Sequence, residues 1–371
     1  MSVLFNRRQW LKTGMLTTAA LAISPASFRG EVAAQNAQTV IRLSSNENPY
    51  GLSPKARRAV LDSLGEGNRY AGAEEVAGLE RMIAERENLP VESVVLGTGS
   101  GEVLCMAAAY GLDRGEIVAA DPTFGWMLRY ASNLGAKVER VPLDENFRHD
   151  LNGMSRRVSS NTKLIYICNP SNPTATIVQP AQLRQFCEDV APRAAVLVDE
   201  AYLEYVPDFP ASSTVDLVRR GKNVIVLRTF SKIYGMAGLR VGYGLAKPEI
   251  ASRLKQFRMT WLNKISLRAA TASLQDTDFV QQSRRKNAEV REYLYREFDR
   301  MKIRYAASSA NFMWFHVGRE NRDLPAKFAR FGVQITGAGS QPLEWDWGRT
   351  TIGTMDEMKV FVQALGSVLK S

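Results

Sequence analysis

A lysine follows an apolar segment that is predicted to be a buried strand. Residues 224–227 read Val-Ile-Val-Leu, and Lys232 comes after them together with the hydroxyls of Thr229 and Ser231 and the guanidinium of Arg240. Burial lowers the pKa of an amine, and a neutral amine is both a nucleophile and a base. Hydroxyl and guanidinium groups are suitable donors for a phosphate. A lysine able to form a Schiff base beside a phosphate site is what pyridoxal phosphate requires. The alternative is an ordinary surface turn with a solvated lysine.

Two more polar motifs follow predicted strands. Residues 167–174 read Ile-Cys-Asn-Pro-Ser-Asn-Pro-Thr, and each proline keeps the preceding asparagine out of helical geometry, so that Asn172 is held at a strand end. Asp199 follows the apolar run 196–198, where a carboxylate is costly unless a cation or hydrogen-bond donors accompany it. In isolation, the second motif could equally be a loop acid after a strand.

A glycine-rich turn at residues 97–102 is open to two interpretations. It reads Gly-Thr-Gly-Ser-Gly-Glu between a predicted strand and a predicted helix, and the amides at a helix N-terminus bind phosphate. The same glycines could begin a dinucleotide-binding fingerprint, with Asp121 about 20 residues further on as the ribose-binding acid. That alternative predicts an NAD-dependent dehydrogenase. Glu102 disfavours it, because the sixth fingerprint position is normally glycine or alanine.

Alternating strand and helix patterns predict the α/β class. Predicted strands at 93–96, 116–120, 135–141, 162–168, 194–198 and 224–227 indicate a mostly parallel sheet covered by helices. Ligands bind beyond the carboxyl ends of such strands, where the polar motifs fall. After about residue 265 the pattern changes to a smaller α+β domain. We therefore expect an N-terminal arm and part of the small domain at 35–65, a large cofactor-binding domain at 66–265 and the small C-terminal domain at 266–371.

Composition narrows the class of protein. The chain has 371 residues, 45% of them hydrophobic and 23% charged, which is typical of a globular protein. Its net charge of +10 comes from basic residues spread along the sequence, so nucleic-acid binding is the weaker interpretation. The three cysteines are an odd number and are expected to be buried free thiols. With only two histidines, no metal site is predicted.

The first 34 residues resemble a twin-arginine signal peptide. Arg7 and Arg8 precede an apolar run at 14–23, and small residues follow at 32–34. The run is too short to serve as a permanent membrane anchor. We expect the twin-arginine export machinery to recognise this segment, the mature chain to begin near Gln35, and the protein to be periplasmic or secreted. A chance pair of arginines before a disordered tail is the alternative.

Taken together, the motifs resemble fold-type I pyridoxal phosphate aminotransferases, and most closely the histidinol-phosphate aminotransferase group. The resemblance runs from about Arg42 to the C-terminus. Its motifs lie in order at residues 46–51, 99–102, 121–124, 169–174, 199–202, 229–240 and 349. Any one of them is weak, but their order and spacing are hard to explain by chance.

The resemblance implies roles around the cofactor ring. Lys232 would bind pyridoxal phosphate as a Schiff base and then move the proton between the substrate and the cofactor. Asp199 would pair with the ring nitrogen, so that the ring accepts electrons. Asn172 and Tyr202 would hydrogen-bond its phenolic oxygen, and Phe124 would stack on the ring.

It also implies residues for the phosphate and the substrate. The groups that would bind the phosphate are Ser100, Gly101, Thr229, Ser231 and Arg240. Tyr70 would reach the phosphate of a neighbouring subunit, which implies a homodimer. Arg349 would clamp the α-carboxylate of the substrate, and Asn172 is assigned to substrate binding as well.

Two positions depart from the family pattern. The glycine usual after Asn-Pro-Thr is Ala175, which we expect to change packing only. Thr336 stands where the family typically has an arginine that helps to hold a distal phosphate. Aromatic or other amino acids are therefore candidate substrates alongside histidinol phosphate. The predicted activity is transfer of an amino group between an L-amino acid and a 2-oxo acid. The alternatives are another reaction of the same cofactor, such as decarboxylation, and a binding protein without turnover.

Overall fold

The computed structural model describes residues 40–111, 115–318, 320, 323–337 and 346–369. The predicted signal peptide at 1–34 lies outside these residues. From Ile41 onwards the chain forms one compact unit. Within the described residues, no helix is both long and apolar enough to cross a membrane.

The strands supply one large sheet and two small ones. In chain order they are β1 (Ile41–Leu43), β2 (Val94–Gly97), β3 (Glu116–Asp121), β4 (Lys137–Pro142), β5 (Thr162–Cys168), β6 (Ala195–Asp199), β7 (Val224–Thr229), β8 (Gly242–Leu245), β9 (Phe312–His316), β10 (Val333–Ile335) and β11 (Trp347–Thr351).

Helices connect and cover these strands. They are α1 (Pro54–Ser63), α2 (Ala73–Glu87), α3 (Ser100–Gly111), α4 (Trp126–Asn133), α5 (Leu151–Arg157), α6 (Pro180–Val190), α7 (Phe209–Ser212), α8 (Val215–Arg219), α9 (Pro248–Lys255), α10 (Lys264–Leu274), α11 (Thr277–Arg300), α12 (Leu324–Ala329) and α13 (Met355–Val368). Local sequence sets several ends: Ser53 caps α1, and Pro54 occupies its first turn.

The large sheet confirms the predicted α/β class. Its strand order is β2-β8-β7-β6-β5-β3-β4. The ladders among β4, β3, β5, β6 and β7 are parallel, whereas β8 is antiparallel to both β7 and β2. β5, β6 and β7 are almost fully buried. Parallel strands that are covered on both faces need nearly continuous apolar sequences, which explains the apolar runs at these positions.

Strand alternation determines which polar groups share a face. Leu197 and Leu227 pack in the core cluster that contains α3, while Val198 and Val226 pack in the cluster on the other face. Side chains along a strand alternate with a period of two. Asp199 and Thr229 therefore lie at the carboxyl ends of β6 and β7 on the same face as α3.

The smaller region combines the beginning and the end of the chain. β1 pairs in parallel with β10, and β9 pairs antiparallel with β11. β1, β9, β10, α11 and α13 contribute to a separate apolar core. Part of the N-terminal segment thus joins the C-terminal strands. The boundaries at 65 and 265 stay predictions, and the second falls within the first turn of α10.

Some elements differ from the sequence prediction. In the smaller region, residues 302–306 form no strand, and Tyr305 makes an isolated bridge to Phe315. β8, α9 and α10 were not predicted. The glycines at 242 and 244 obscured β8. They are required there because α3 packs so closely that a Cβ on Gly242 would collide with the backbone of Ser100.

Candidate active site

The amine of Lys232 lies beneath the segment that follows β1. Its Nζ donates hydrogen bonds to the backbone oxygens of Ser45 (3.2 Å) and Asn46 (3.1 Å). Burial, together with the positive charge of Arg349, lowers the pKa of Lys232 to about 8. A substantial fraction of the amine is therefore neutral near physiological pH, as a nucleophile or base requires.

Asp199 is a buried carboxylate at the end of β6. Its Oδ2 accepts a hydrogen bond from the hydroxyl of Tyr166 (3.1 Å), and its Oδ1 accepts one from the amide of Ala201 (3.2 Å). Burial raises the pKa of Asp199 to about 6, and the Tyr166 hydrogen bond opposes that rise. A cationic partner would stabilise the charged form of this carboxylate, as a protonated ring nitrogen does.

Two asparagine side chains converge on the phenol of Tyr202. Asn46 Nδ2 donates to the hydroxyl oxygen at 3.1 Å, and Asn172 Nδ2 donates to it at 3.3 Å. Lys232 Nζ lies 5.5 Å from the centre of the same ring. Burial raises the pKa of Tyr202, so its hydroxyl stays protonated.

The guanidinium of Arg349 completes the cluster from β11. Its Nη1 donates to Asn172 Oδ1 at 2.6 Å, and its Nη2 donates to Ser44 O at 3.1 Å and to Thr336 Oγ1 at 3.0 Å. The guanidinium carbon lies 5.7 Å from the centre of the Phe312 ring. Hydrogen bonds therefore connect the predicted carboxylate clamp through Asn172 to Tyr202.

The predicted phosphate site is a second group of residues. Arg240 Nη1 donates to Ser231 Oγ at 3.2 Å and to Ala237 O at 2.8 Å. A Cβ on Gly99 would collide with the Arg240 guanidinium, so the glycine allows the arginine to lie against the turn before α3. Thr229 Oγ1 accepts from the amide of Ser231 at 3.1 Å.

The other predicted residues lie around these groups. Ser100 and Gly101 form the N-terminus of α3, where backbone amides are available to an anion. Phe124 follows β3 and packs, partly buried, against the core. Tyr70 is on the surface, 79% exposed, with its ring centre 5.5 Å from that of Trp261.

These residues fit pyridoxal phosphate. Arg240, the hydroxyls of Thr229 and Ser231, and the α3 N-terminus are donors for its phosphate. The positive charge of Arg240 contributes to the lowered pKa of Lys232, which places the amine within electrostatic range of that donor group. Asp199 supplies the buried carboxylate that a protonated pyridine nitrogen would neutralise.

The topology disfavours the dinucleotide interpretation of the turn at 97–102. A dinucleotide fingerprint follows a central parallel strand. Here β2 is an edge strand, antiparallel to its neighbour β8. Asp121 accepts a hydrogen bond from Arg140 Nη1 at 3.1 Å, and Glu102 Oε2 accepts from the amide of Thr98 at 2.6 Å. Both acids therefore have structural partners.

Sequence reasoning assigned no role to several groups in the site. These are the backbone oxygens of residues 44–46, the side chain of Asn46 and the hydroxyl of Tyr166. The motif at 46–51 contained a signal for Asn46, but nothing in the sequence related it to Tyr202, which is 156 positions away. A buried tyrosine usually finds a partner for its hydroxyl, which was the available signal for Tyr166.

The fold and these donor groups define an α/β enzyme that binds pyridoxal phosphate. Residues 38–365 match the family model for aminotransferase class I and II. The chain belongs to the aminotransferase class I and II family, and it is a pyridoxal phosphate-dependent transaminase.

Individual relatives agree with this assignment. The chain is 39% identical to a histidinol-phosphate aminotransferase of Moorella thermoacetica, over 89% of this chain and 86% of the relative. It is 35% identical to histidinol-phosphate aminotransferase 2 of Pseudomonas fluorescens, over 89% of each chain.

Solved structures share the fold. The crystal structure of a histidinol-phosphate aminotransferase from Sinorhizobium meliloti in complex with pyridoxal 5'-phosphate superposes with a TM-score of 0.83 at 24% identity, covering 90% of this chain and 91% of that one. An aspartate aminotransferase from Thermotoga maritima gives a TM-score of 0.78 at 21% identity, covering 90% and 92%.

Proposed function

We propose that this transaminase moves an amino group between an L-amino acid, or an amine resembling histidinol phosphate, and a 2-oxo acid. The observation that carries the proposal is the connected cluster of Lys232, Tyr202, Asn172 and Arg349. It supplies a base of lowered pKa and a cation for a carboxylate, with hydrogen-bonding side chains between them.

Each residue has a task that its surroundings support. Pyridoxal phosphate, when bound, supplies an electron sink for the substrate α-carbon. Asp199 would hold the proton on the ring nitrogen, and Tyr202 and Asn172 would donate hydrogen bonds to the phenolic oxygen. The neutral amine of Lys232 would take the proton from the substrate α-carbon and deliver it to the cofactor carbon that receives the amino group, and the second half-reaction would run this transfer in reverse.

The remaining groups bind and orient. Arg240, Ser231, Thr229 and the amides of Ser100 and Gly101 would hold the phosphate, and Phe124 would stack on the ring. Arg349 receives the substrate α-carboxylate, with the Asn172 amide beside it. A guanidinium fork suits that carboxylate because its two N–H donors match the two oxygens.

A chemical trapping experiment tests the covalent role of Lys232. Borohydride reduction of the cofactor-loaded protein, followed by peptide mass spectrometry, should find the cofactor mass on Lys232. Lys232→Ala should lose the visible absorbance near 410–430 nm, roughly where Schiff bases of this cofactor absorb. An unmodified Lys232 after reduction of fully loaded protein contradicts the proposed site.

Kinetics test the carboxylate clamp. Arg349→Ala should raise the substrate KM by about tenfold or more and leave the cofactor absorbance in place, because a bidentate charged contact is lost. Arg58→Ala, which removes an exposed arginine on α1, is the control. An unchanged KM in Arg349→Ala would assign the clamp to another residue.

Two substrate classes have separate support. The names of the relatives favour an amine like histidinol phosphate. Thr336, where the family typically has an arginine, favours an aromatic or other amino acid without a distal phosphate. Mixing the enzyme with histidinol phosphate and with each amino acid, and following loss of the visible absorbance, separates the two. Stoichiometric conversion of an added 2-oxo acid distinguishes transamination from decarboxylation.

We also propose that the enzyme acts as a homodimer in which Tyr70 reaches the neighbouring subunit. Tyr70, Met259 and Trp261 are each nearly four-fifths exposed and form an apolar surface, which supports contact with a second copy. Lys232→Ala and Tyr70→Ala subunits should regain activity when mixed if Tyr70 completes the partner's site. Light scattering of the wild type should give twice the chain mass. A monomer with full activity contradicts this proposal.

Export is the last part of the proposal. Arg7, Arg8 and the apolar run that follows support a twin-arginine signal. The full chain should appear in the periplasm, and Arg7→Lys combined with Arg8→Lys should retain it in the cytoplasm. An equal periplasmic share of the wild type and the variant contradicts export through this signal.

A further inference from the structure

Three hydrogen bonds to its backbone hold Asn46 in place inside the site. Its amide donates to Thr351 Oγ1 at 2.9 Å, and its carbonyl accepts from Lys232 Nζ at 3.1 Å and from Asn311 Nδ2 at 3.0 Å. Its backbone is left-handed, with φ of 53°, a conformation that asparagine adopts more readily than most residues. The side chain is buried, so its direction is set by these anchors.

That side chain is directed at Tyr202. Asn46 Nδ2 donates to the phenol oxygen at 3.1 Å, and Asn172 Nδ2 donates to it at 3.3 Å. The orientation of the Asn172 amide follows from its other contact. Its Oδ1 accepts from Arg349 Nη1 at 2.6 Å, which leaves the NH₂ group to face Tyr202.

Two N–H donors on one hydroxyl have a definite consequence. A hydroxyl oxygen accepts at most two hydrogen bonds and donates one. With both acceptor positions of Tyr202 occupied, the hydroxyl can interact with a further group only by donating its proton. The donated bond is also strengthened, because hydrogen bonds in a chain polarise one another.

We infer that Asn46 is a positioning residue that, together with Asn172, makes Tyr202 a dedicated hydrogen-bond donor to the phenolic oxygen of the cofactor. The inference rests on the proposed role of Tyr202 and adds a residue that acts only through it. Donation to this oxygen stabilises its anionic form, which lowers the proton affinity of the adjoining lysine–cofactor linkage.

The test uses the full-length, cofactor-loaded protein. The visible absorbance of the bound cofactor changes as the linkage is protonated, and the pH midpoint of that change is measured. Asn46→Asp keeps the size and the left-handed preference but replaces the donor with an acceptor that competes for the Tyr202 proton. We expect the midpoint to rise by about one pH unit, equivalent to about 1.4 kcal/mol, which is within the contribution of one hydrogen bond.

A second variant and a control accompany it. Asn46→Gly retains the backbone conformation and removes the side-chain carboxamide. The midpoint of this variant should rise as well, by a smaller amount. It covers the case in which Asn46→Asp does not fold. Asn88→Asp makes the same substitution at another left-handed asparagine, the exposed C-cap of α2, and should leave the midpoint unchanged.

The double variant separates this inference from the proposed role of Tyr202. Tyr202→Phe should raise the midpoint by itself, and Asn46→Gly should add nothing in that background. An unchanged midpoint in Tyr202→Phe contradicts the proposed role of Tyr202. A shifted midpoint in Tyr202→Phe but not in either folded Asn46 variant overturns the inference about Asn46. Additive shifts would also overturn it, since Asn46 would then act independently of Tyr202.

Discussion

Thr336 and Arg349 face each other across an antiparallel bridge and are joined by both backbone and side-chain hydrogen bonds. The backbone amide of each donates to the carbonyl of the other, at 3.1 and 3.3 Å. Arg349 Nη2 donates to Thr336 Oγ1 at 3.0 Å, while that hydroxyl donates its own proton to Ser44 O at 2.7 Å. Because the Thr336 hydroxyl donates its proton to Ser44, its oxygen acts only as an acceptor toward the arginine.

This contact predicts a kinetic effect of Thr336. Thr336→Val keeps the shape and removes the acceptor, so the guanidinium is less well oriented for the substrate carboxylate. We expect KM to rise by about tenfold, equivalent to about 1.4 kcal/mol, with the cofactor absorbance unchanged. Thr336→Ser retains the hydroxyl and should remain within about twofold of the wild type in steady-state kinetics. Equal KM values for both variants and the wild type contradict the prediction.

The lowered pKa of Lys232 predicts how cofactor attachment depends on pH. Only the neutral amine attacks the cofactor, so attachment to cofactor-free protein should accelerate with pH and level off above about 8. Arg349→Gln removes a positive charge that, after burial, contributes most to lowering the pKa of Lys232. The pH at which the attachment rate is half-maximal should therefore move to a higher value. Stopped-flow absorbance at a series of pH values measures the attachment rate and hence this midpoint. A midpoint near 10.5, the ordinary lysine value, would contradict the effect of burial.

Asp199 predicts a pH dependence of stability in the cofactor-free protein. Its pKa is raised from 3.8 to about 6, so between these values the folded state retains a proton that the unfolded state has lost. The free energy of unfolding should therefore fall as pH rises from about 4 to about 6, by an amount on the order of 3 kcal/mol.

A matched pair of variants isolates this carboxylate. Asp199→Asn should remove its part of the pH dependence in urea unfolding curves. Tyr166→Phe deletes the hydrogen bond that opposes the shift, so the decline should extend to higher pH. If Asp199→Asn follows the wild-type curve throughout, other groups control the dependence.

Ala175 holds a left-handed backbone conformation, with φ of 61°, so the departure from the usual glycine is conformational as well as a matter of packing. Its methyl group is buried in a cluster with Tyr202 and Phe312. Ala175→Gly should change the free energy of unfolding by less than about 1 kcal/mol, because relief of strain offsets the lost packing. Ala175→Val should destabilise by more than about 2 kcal/mol, because a β-branched residue tolerates this conformation poorly. Urea unfolding measures both, and a Val variant as stable as the wild type contradicts the assignment.

The sequence by itself determined the α/β class and which residues stand at strand ends. An apolar run is a local property of the sequence, so β5 begins and ends at residues 162 and 168, where the pattern predicted. The motifs around Lys232, Asp199 and Asn172 were visible because lysine, aspartate and Asn-Pro are unusual after buried strands.

Only the tertiary structure decided which distant groups complete the site. Asn46 comes to Tyr202 from 156 positions away, and Arg349 comes to Asn172 from 177 positions away. The glycine-rich β8 is a strand because it pairs with β2 and β7, and its glycines leave room for α3. Such contacts depend on how sheets and helices pack across the chain. Sequence periodicity and motif spacing describe only nearby residues. They therefore do not reveal which distant residue a side chain will contact.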